Sequence, residues 1–172
     1  GYNGFSYADI SAEVGITKAS IHHHFPKKSD LVRVLLQRYR AEAAAGLAGL
    51  TAKIANPLER LRAYAGWWST CIGDGSMPIC ICAMLSAEIP ALPAEITTEV
   101  RLHFAHLANW LEGLLADGQA GKFIRLQDTP AAQAHAFMAT VHGAMLSARA
   151  CGDPTLFANI GGAAMAGLTP PR

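Results

Sequence analysis

Apolar residues recur at intervals of three and four along almost the whole chain, and no segment alternates apolar with polar residues in the two-residue period of a strand. Clusters of β-branched residues in that period are absent too. An all-α fold is therefore expected. Each helix must then bury a stripe against another helix, and a chain of 172 residues is long enough to do so. Hydrophobic residues make up 51% and charged residues 16%, with much of the apolar excess in alanine. No run approaches the roughly 18 apolar residues that a membrane span requires. The start, Gly1-Tyr2-Asn3-Gly4, lacks a basic region followed by an apolar run, so a cytoplasmic protein is expected.

The punctuation divides the chain into helices. Ser6 caps a first short helix with Asp9 as its capping-box partner, Ile10 and Val14 form its apolar pair, and Gly15 ends it. Thr17 caps a second, from 18 to about 23, which Phe25-Pro26 stops. Ser29 caps a third from 30 to about 50, with Leu31, Val34, Leu35, Arg38 and Tyr39 at helical spacing. After the break at Asn56-Pro57, a helix over 58–72 carries Leu58, Leu61, Tyr64, Ala65 and Trp68 on one face. Pro78 suits the first turn of a helix to about 88. Further helices are expected over 94–117, 130–150 and the segment after Gly152-Asp153-Pro154.

The first two helices, joined through a glycine turn, satisfy the helix-turn-helix signature. Ile10, Val14, Ile16, Ile21 and Phe25 are expected to pack them together. That leaves Thr17, Lys18, Ser20, His22 and His23 on or near the outer face. Hydroxyls bond phosphate or base edges, lysine adds charge and reaches a guanine acceptor, and histidine donates to either. Lys27 and Lys28 stand beside the next helix start, where backbone amides also favour a phosphate. Charge follows the same division. Residues 1–40 hold six Lys or Arg against three Asp or Glu, a balance of +3, while the rest holds eight against ten, a balance of −2. A basic head on an acidic body suits a chain whose head alone meets DNA. His22, His23 and His24 point in three directions round a helix and cannot share one metal; His24 is expected to pack on the third helix.

The run from Phe5 to Leu31 resembles the DNA-binding motif of TetR/AcrR regulators. It has a hydroxyl helix start, Ile10-x-x-x-x-Gly15, Thr17-Lys18, a histidine run ending in Phe25, and Lys28-Ser29-x-Leu31. The resemblance covers about residues 4–40. It implies a helix-turn-helix domain over 1–40 and a helical ligand-binding and dimerisation domain over 41–172. It implies Lys18, Ala19, Ser20, His22 and His23 on the recognition helix, with Tyr7 and Lys28 flanking at the DNA backbone. His22 stands where many members have Tyr. Members carry another helix before this loop, so the head as written lacks its bracing helix.

For the body, the resemblance implies a pocket among the middle helices and a dimer face from the last two. Trp67, Trp68, Cys71, Cys80, Met84, Phe104, Trp110 and Phe137 supply bulky or soft lining, with His103 and His142 as polar groups. Core filling is the competing role for each. Small residues crowd the last two helices, which permits close helix approach. Ala136, Gly143, Ala144, Ala148, Gly162 and Ala166 are the expected dimer-face positions. The implied partners are operator DNA, a small-molecule inducer and a second copy, with no membrane.

The segment from Cys80 to Glu88 resembles the Cys-x-x-x-x-Leu-x-x-Glu stretch of a TetR subgroup that includes the N-ethylmaleimide-responsive repressor. Cys80 is then the implied thiol sensor, and a position near a helix N-terminus favours the thiolate. A buried small hydrophobe is the other reading of Cys80, and of Cys71, Cys82 and Cys151. Cys80-x-Cys82 lacks zinc-site spacing. Glu99, His103 and His106 share a helix face, read as a polar wall in preference to a metal site. No cofactor is expected. No nucleophile, base and orienting group stand together, which argues against an enzyme. A dimeric ligand-binding module without DNA binding is the alternative function.

Overall fold

A computed structural model describes residues 1–171. Among these the chain is all-helical. The helices are α1 (Tyr7–Val14), α2 (Lys18–His24), α3 (Lys28–Lys53), α4 (Pro57–Gly73), α5 (Ile81–Ser86), α6 (Ala94–Ala120), α7 (Pro130–Cys151) and α8 (Thr155–Leu168), with short 3-10 turns at Tyr2–Gly4 and Ile89–Ala91. No helix among the described residues is long and apolar enough to cross a membrane.

The chain forms two compact units. The first comprises residues 1–43 and 81–104, the second residues 44–80 and 105–172. In the first, Tyr7, Ile21, Val32, Leu36, Leu85, Ile96 and Val100 are buried. The core of the second is made by α4, α7, α8 and the later part of α6. Leu61, Leu111, Leu115, Val141, Met145 and Phe157 are almost completely covered there, and α8 packs on both α7 and α4. Gly118 lies in the last turn of α6, where the chain that follows folds back on it. A Cβ there would sit 2.5 Å from the Ile124 side chain, whose own N–H donates to the Gly118 carbonyl at 3.0 Å.

The helix ends are where the expected boundaries hold and where they move. Ser6 caps α1 and completes the box with Asp9, and Gly15 closes the helix at φ 74°. Thr17 caps α2, accepting from the Ser20 N–H. Asn56 caps α4, accepting from Leu58 and Glu59. Ser29 is not a cap: α3 begins at Lys28, Asp30 accepts from the Lys27 N–H, and buried Ser29 turns its hydroxyl to Glu95 of α6. The buried stripe of α3 in the first unit is accordingly Ser29, Val32 and Leu36, while Leu35 is exposed.

Pro78 does not start α5. The Met77 N–H donates to the Cys71 carbonyl at 3.2 Å, which folds the segment back on the end of α4, and Ile79 and Cys80 are buried before the six-residue helix begins. Val14 and Ile16 do not join the head's core; they are 61% and 43% exposed. They flank the left-handed turn at Gly15, and Tyr7 occupies the inner position instead.

Candidate nucleic-acid interface

In the N-terminal head α2 has one buried residue, Ile21, and it anchors the helix. Thr17, Lys18, Ala19, Ser20, His22 and His23 are all exposed. So is His24, which does not pack on α3; its ring lies against that of His23 at 5.3 Å. The ring of His22 meets Tyr7 edge-on at 4.6 Å. Thr17 spends one acceptor on its cap and leaves its O–H to donate. The outer face therefore offers a lysine, two hydroxyls and imidazoles with no apolar bulk between them.

Tyr7 and Lys28 hold the scaffold. The Tyr7 hydroxyl donates to the Phe25 carbonyl at 2.7 Å, and burial raises its pKa above the ordinary value. Lys28 donates to the Phe5 carbonyl, with its ammonium 4.1 Å from the Phe5 ring centroid and 4.8 Å from that of Tyr2. The Tyr2 N–H donates to Glu88 at 2.9 Å. These bonds tie the loop before α1 to the start of α3 and to the turn after α5.

A polar ladder within the same unit extends the Glu99 and His103 face expected from the sequence to Glu95 and to partners on α3. Glu95, Glu99 and His103 follow at i, i+4 and i+8 on α6. Glu95 accepts from Ser29, which lowers its pKa, with Lys27 and Arg33 nearby. Buried Glu99 accepts from Gln37 at 2.8 Å and pairs with Arg40 at 3.2 Å. The His103 ring lies 5.3 Å from that of Tyr39. The matching four-residue spacing in Ser29, Arg33 and Gln37 of α3 is the signal that would have found it.

The expected pocket residues divide between the units. In the second, Trp68, Cys71, Cys80, Phe137 and His142 are buried, Trp110 is half-buried and Trp67 is 50% exposed. Trp68 bonds the buried Tyr64 hydroxyl, whose pKa burial pushes well up, and Cys80 lies close enough to add to that rise. Trp110 donates to Thr51 at 3.1 Å, and the Nδ1 of His142 lies 2.9 Å from the Met138 carbonyl. In the first unit Met84 and Phe104 are half-buried and His103 is buried.

Cys80 has 0% exposure and precedes the first turn of α5, so it is a covered thiol, whereas Cys151 is exposed. Among the described residues no cluster of histidine, cysteine or carboxylate suits a metal. A cavity of about 500 Å³ opens between α4 and α8, lined by Arg62, Gly162, Met165, Ala166 and Thr169. Of the expected dimer-face residues, Ala136, Gly143, Gly162 and Ala166 are exposed. Ala144 and Ala148 are buried in the chain's own core, because their side of α7 also carries Val141 and Met145 against α8.

Comparison with known proteins extends these observations. The family of bacterial regulatory proteins of the tetR type matches residues 1–35, and the tetracyclin repressor-like C-terminal domain matches residues 57–162. A TetR-family transcriptional regulator from Agrobacterium tumefaciens is 54% identical, covering 99% of this chain and 90% of that one with a TM-score of 0.97. A TetR regulator from Legionella pneumophila is 24% identical over 98% of this chain and 89% of that one, TM-score 0.87. Reduced NemR from E. coli is 20% identical over 99% and 90%, TM-score 0.86. These last two share the fold. Among curated proteins none matches.

Proposed function

The chain belongs to the TetR family of bacterial transcriptional regulators, and on that premise we propose that it is a cytoplasmic repressor that binds operator DNA as a homodimer and is released by a small apolar or electrophilic inducer. The observation that carries the reading is the outer face of α2. Thr17, Lys18, Ala19, Ser20, His22 and His23 are all exposed on a helix anchored by Ile21, while Tyr7 and Lys28 are engaged inside the head. Such a face enters a major groove, with Lys18 reaching phosphate or a guanine edge. Residues 1–40 are the DNA-binding part, and residues 41–172 sense and dimerise.

Two half-sites require two heads, and the small exposed residues Ala136, Gly143, Gly162 and Ala166 support a close helical seam with a second copy. The half-exposed Leu146 extends that seam. On the sensing side, buried aromatic rings and thiols around Trp68, Cys71 and Phe137 favour an uncharged inducer. An electrophile acting at Cys80 must enter the core to reach it.

The test is a mobility shift with full-length protein on duplex DNA from upstream of the adjacent operon. A sequence-specific shift is expected. Lys18→Ala should weaken it and reduce the salt slope, d log K against d log salt, by about one. No specific shift would sink the repressor reading. Ligand binding without any duplex binding would support the dimeric module instead. Cys80→Ser should leave the shift intact and abolish any response to electrophiles.

A further inference from the structure

We propose that operator binding is proton-coupled through α2: His22 and His23 take up protons as the duplex docks, so affinity rises as pH falls from 8 to 6. This rests on the DNA-binding reading above. Ile21 points into the head and is the buried residue of the helix. At about 100° per residue, His23 lies roughly 200° round the helix from Ile21 and His22 about 100°. His23 thus shares the outermost face with Ala19, and His22 stands at its edge.

Both imidazoles are exposed, and among the described residues neither has a hydrogen bond or ion pair; their contacts are the Tyr7 ring at 4.6 Å for His22 and the His24 ring at 5.3 Å for His23. The other titratable or charged groups around α2 are Lys18 of its own first turn and His24 of its last, Tyr7, Asp9 and Glu13 of α1, and Lys27, Lys28 and Asp30 at the start of α3. Asp9 is bonded to Ser6, and Asp30 to the Lys27 N–H and to Arg33. Glu13 is exposed near the far end of α1.

A neutral imidazole has one N–H donor; protonation adds a second donor and a charge. A phosphate row beside the ring favours the charged form. Imidazole is the side chain whose ordinary titration falls between pH 5 and 8. By linkage, the slope of log K against pH equals the number of protons taken up.

The experiment is fluorescence anisotropy of the full-length protein with a fluorescein-labelled duplex from upstream of the adjacent operon, at fixed ionic strength and at each half unit from pH 8 to 6. Wild-type Kd should fall about tenfold or more across that range. The salt slope at pH 6 should be steeper than at pH 8 by one to two counterions, at about 0.9 per phosphate. His22→Gln with His23→Gln should flatten the pH dependence, with an unchanged melting temperature showing the fold intact. His23→Lys carries a charge that does not titrate in this window; it should bind tightly at pH 8 with a smaller slope. A wild-type Kd independent of pH overturns the proposal, as does a slope that survives in the double variant. No duplex binding at any pH would overturn the DNA-binding reading and this inference with it.

Discussion

Glu99 is the residue on which the first unit most depends for polar order. Its carboxylate is buried and accepts from Gln37 and Arg40, while Arg40 Nε is buried without a partner among the described residues. Glu99→Ala leaves two donors facing an emptied site. Because Arg40 stays a third exposed, the cost should be below that of a fully buried pair, about 2 kcal/mol, read as a lower urea midpoint with an unchanged m-value. Tyr7→Phe deletes one donor and leaves the Phe25 carbonyl unsatisfied, so a loss of about 1 kcal/mol is expected in the same measurement. The resemblance places Tyr7 beside the recognition helix, and the 2.7 Å bond to Phe25 shows its hydroxyl engaged within the head.

Helix ends carry the next scale. The turn between α1 and α2 depends on Gly15 at φ 74°, a conformation that a Cβ disfavours. Gly15→Ala should therefore cost about 1 kcal/mol although the space around it is open, and the drop in melting temperature measures it. Two carboxylates at helix starts add an acid dependence. Hydrogen bonds from Ser6 hold Asp9 below the ordinary carboxylate pKa, and the bond from Ser29 does the same for Glu95. A depressed folded pKa means the stabilisation is present above the unfolded value, about 4, and is lost as pH falls through the folded one. Melting temperature should decline below about pH 4, and Ser29→Ala should shrink that decline. The caps Ser6 and Thr17 were legible because a side-chain oxygen meets an N–H two or three residues on, a wholly local bond. The starts of α3 and α5 were not, because Ser29 is held by Glu95 and the segment before α5 by the Cys71 carbonyl.

At the scale of the whole molecule, the proposed homodimer depends on a small-residue surface. Gly162→Arg should leave the chain folded by circular dichroism and shift it from dimer to monomer in size-exclusion chromatography with light scattering. Retention of a dimer would move the seam elsewhere. The all-helical class, most helix boundaries and the exposed face of α2 were readable from the chain alone. All three depend on local physics: a 3.6-residue period, short-range caps and the run Thr17, Lys18, Ser20 and His22 beside one apolar anchor. What lay beyond reach was which member of each stripe is covered. Leu35, Val14 and Ile16 look like core residues and are exposed, whereas Ser29 and Glu99 look like surface residues and are buried. Cys80, which the resemblance implies as a sensor, is completely covered. Alanine on α7 reads the same at 136, 144 and 148, yet the last two are inside. Composition and periodicity determine that a helix buries one side. The rotation of that side, and whether a polar group on it meets a partner, are decided by bonds between residues some 60 positions apart, such as Gln37 with Glu99, and only the tertiary structure brings those together.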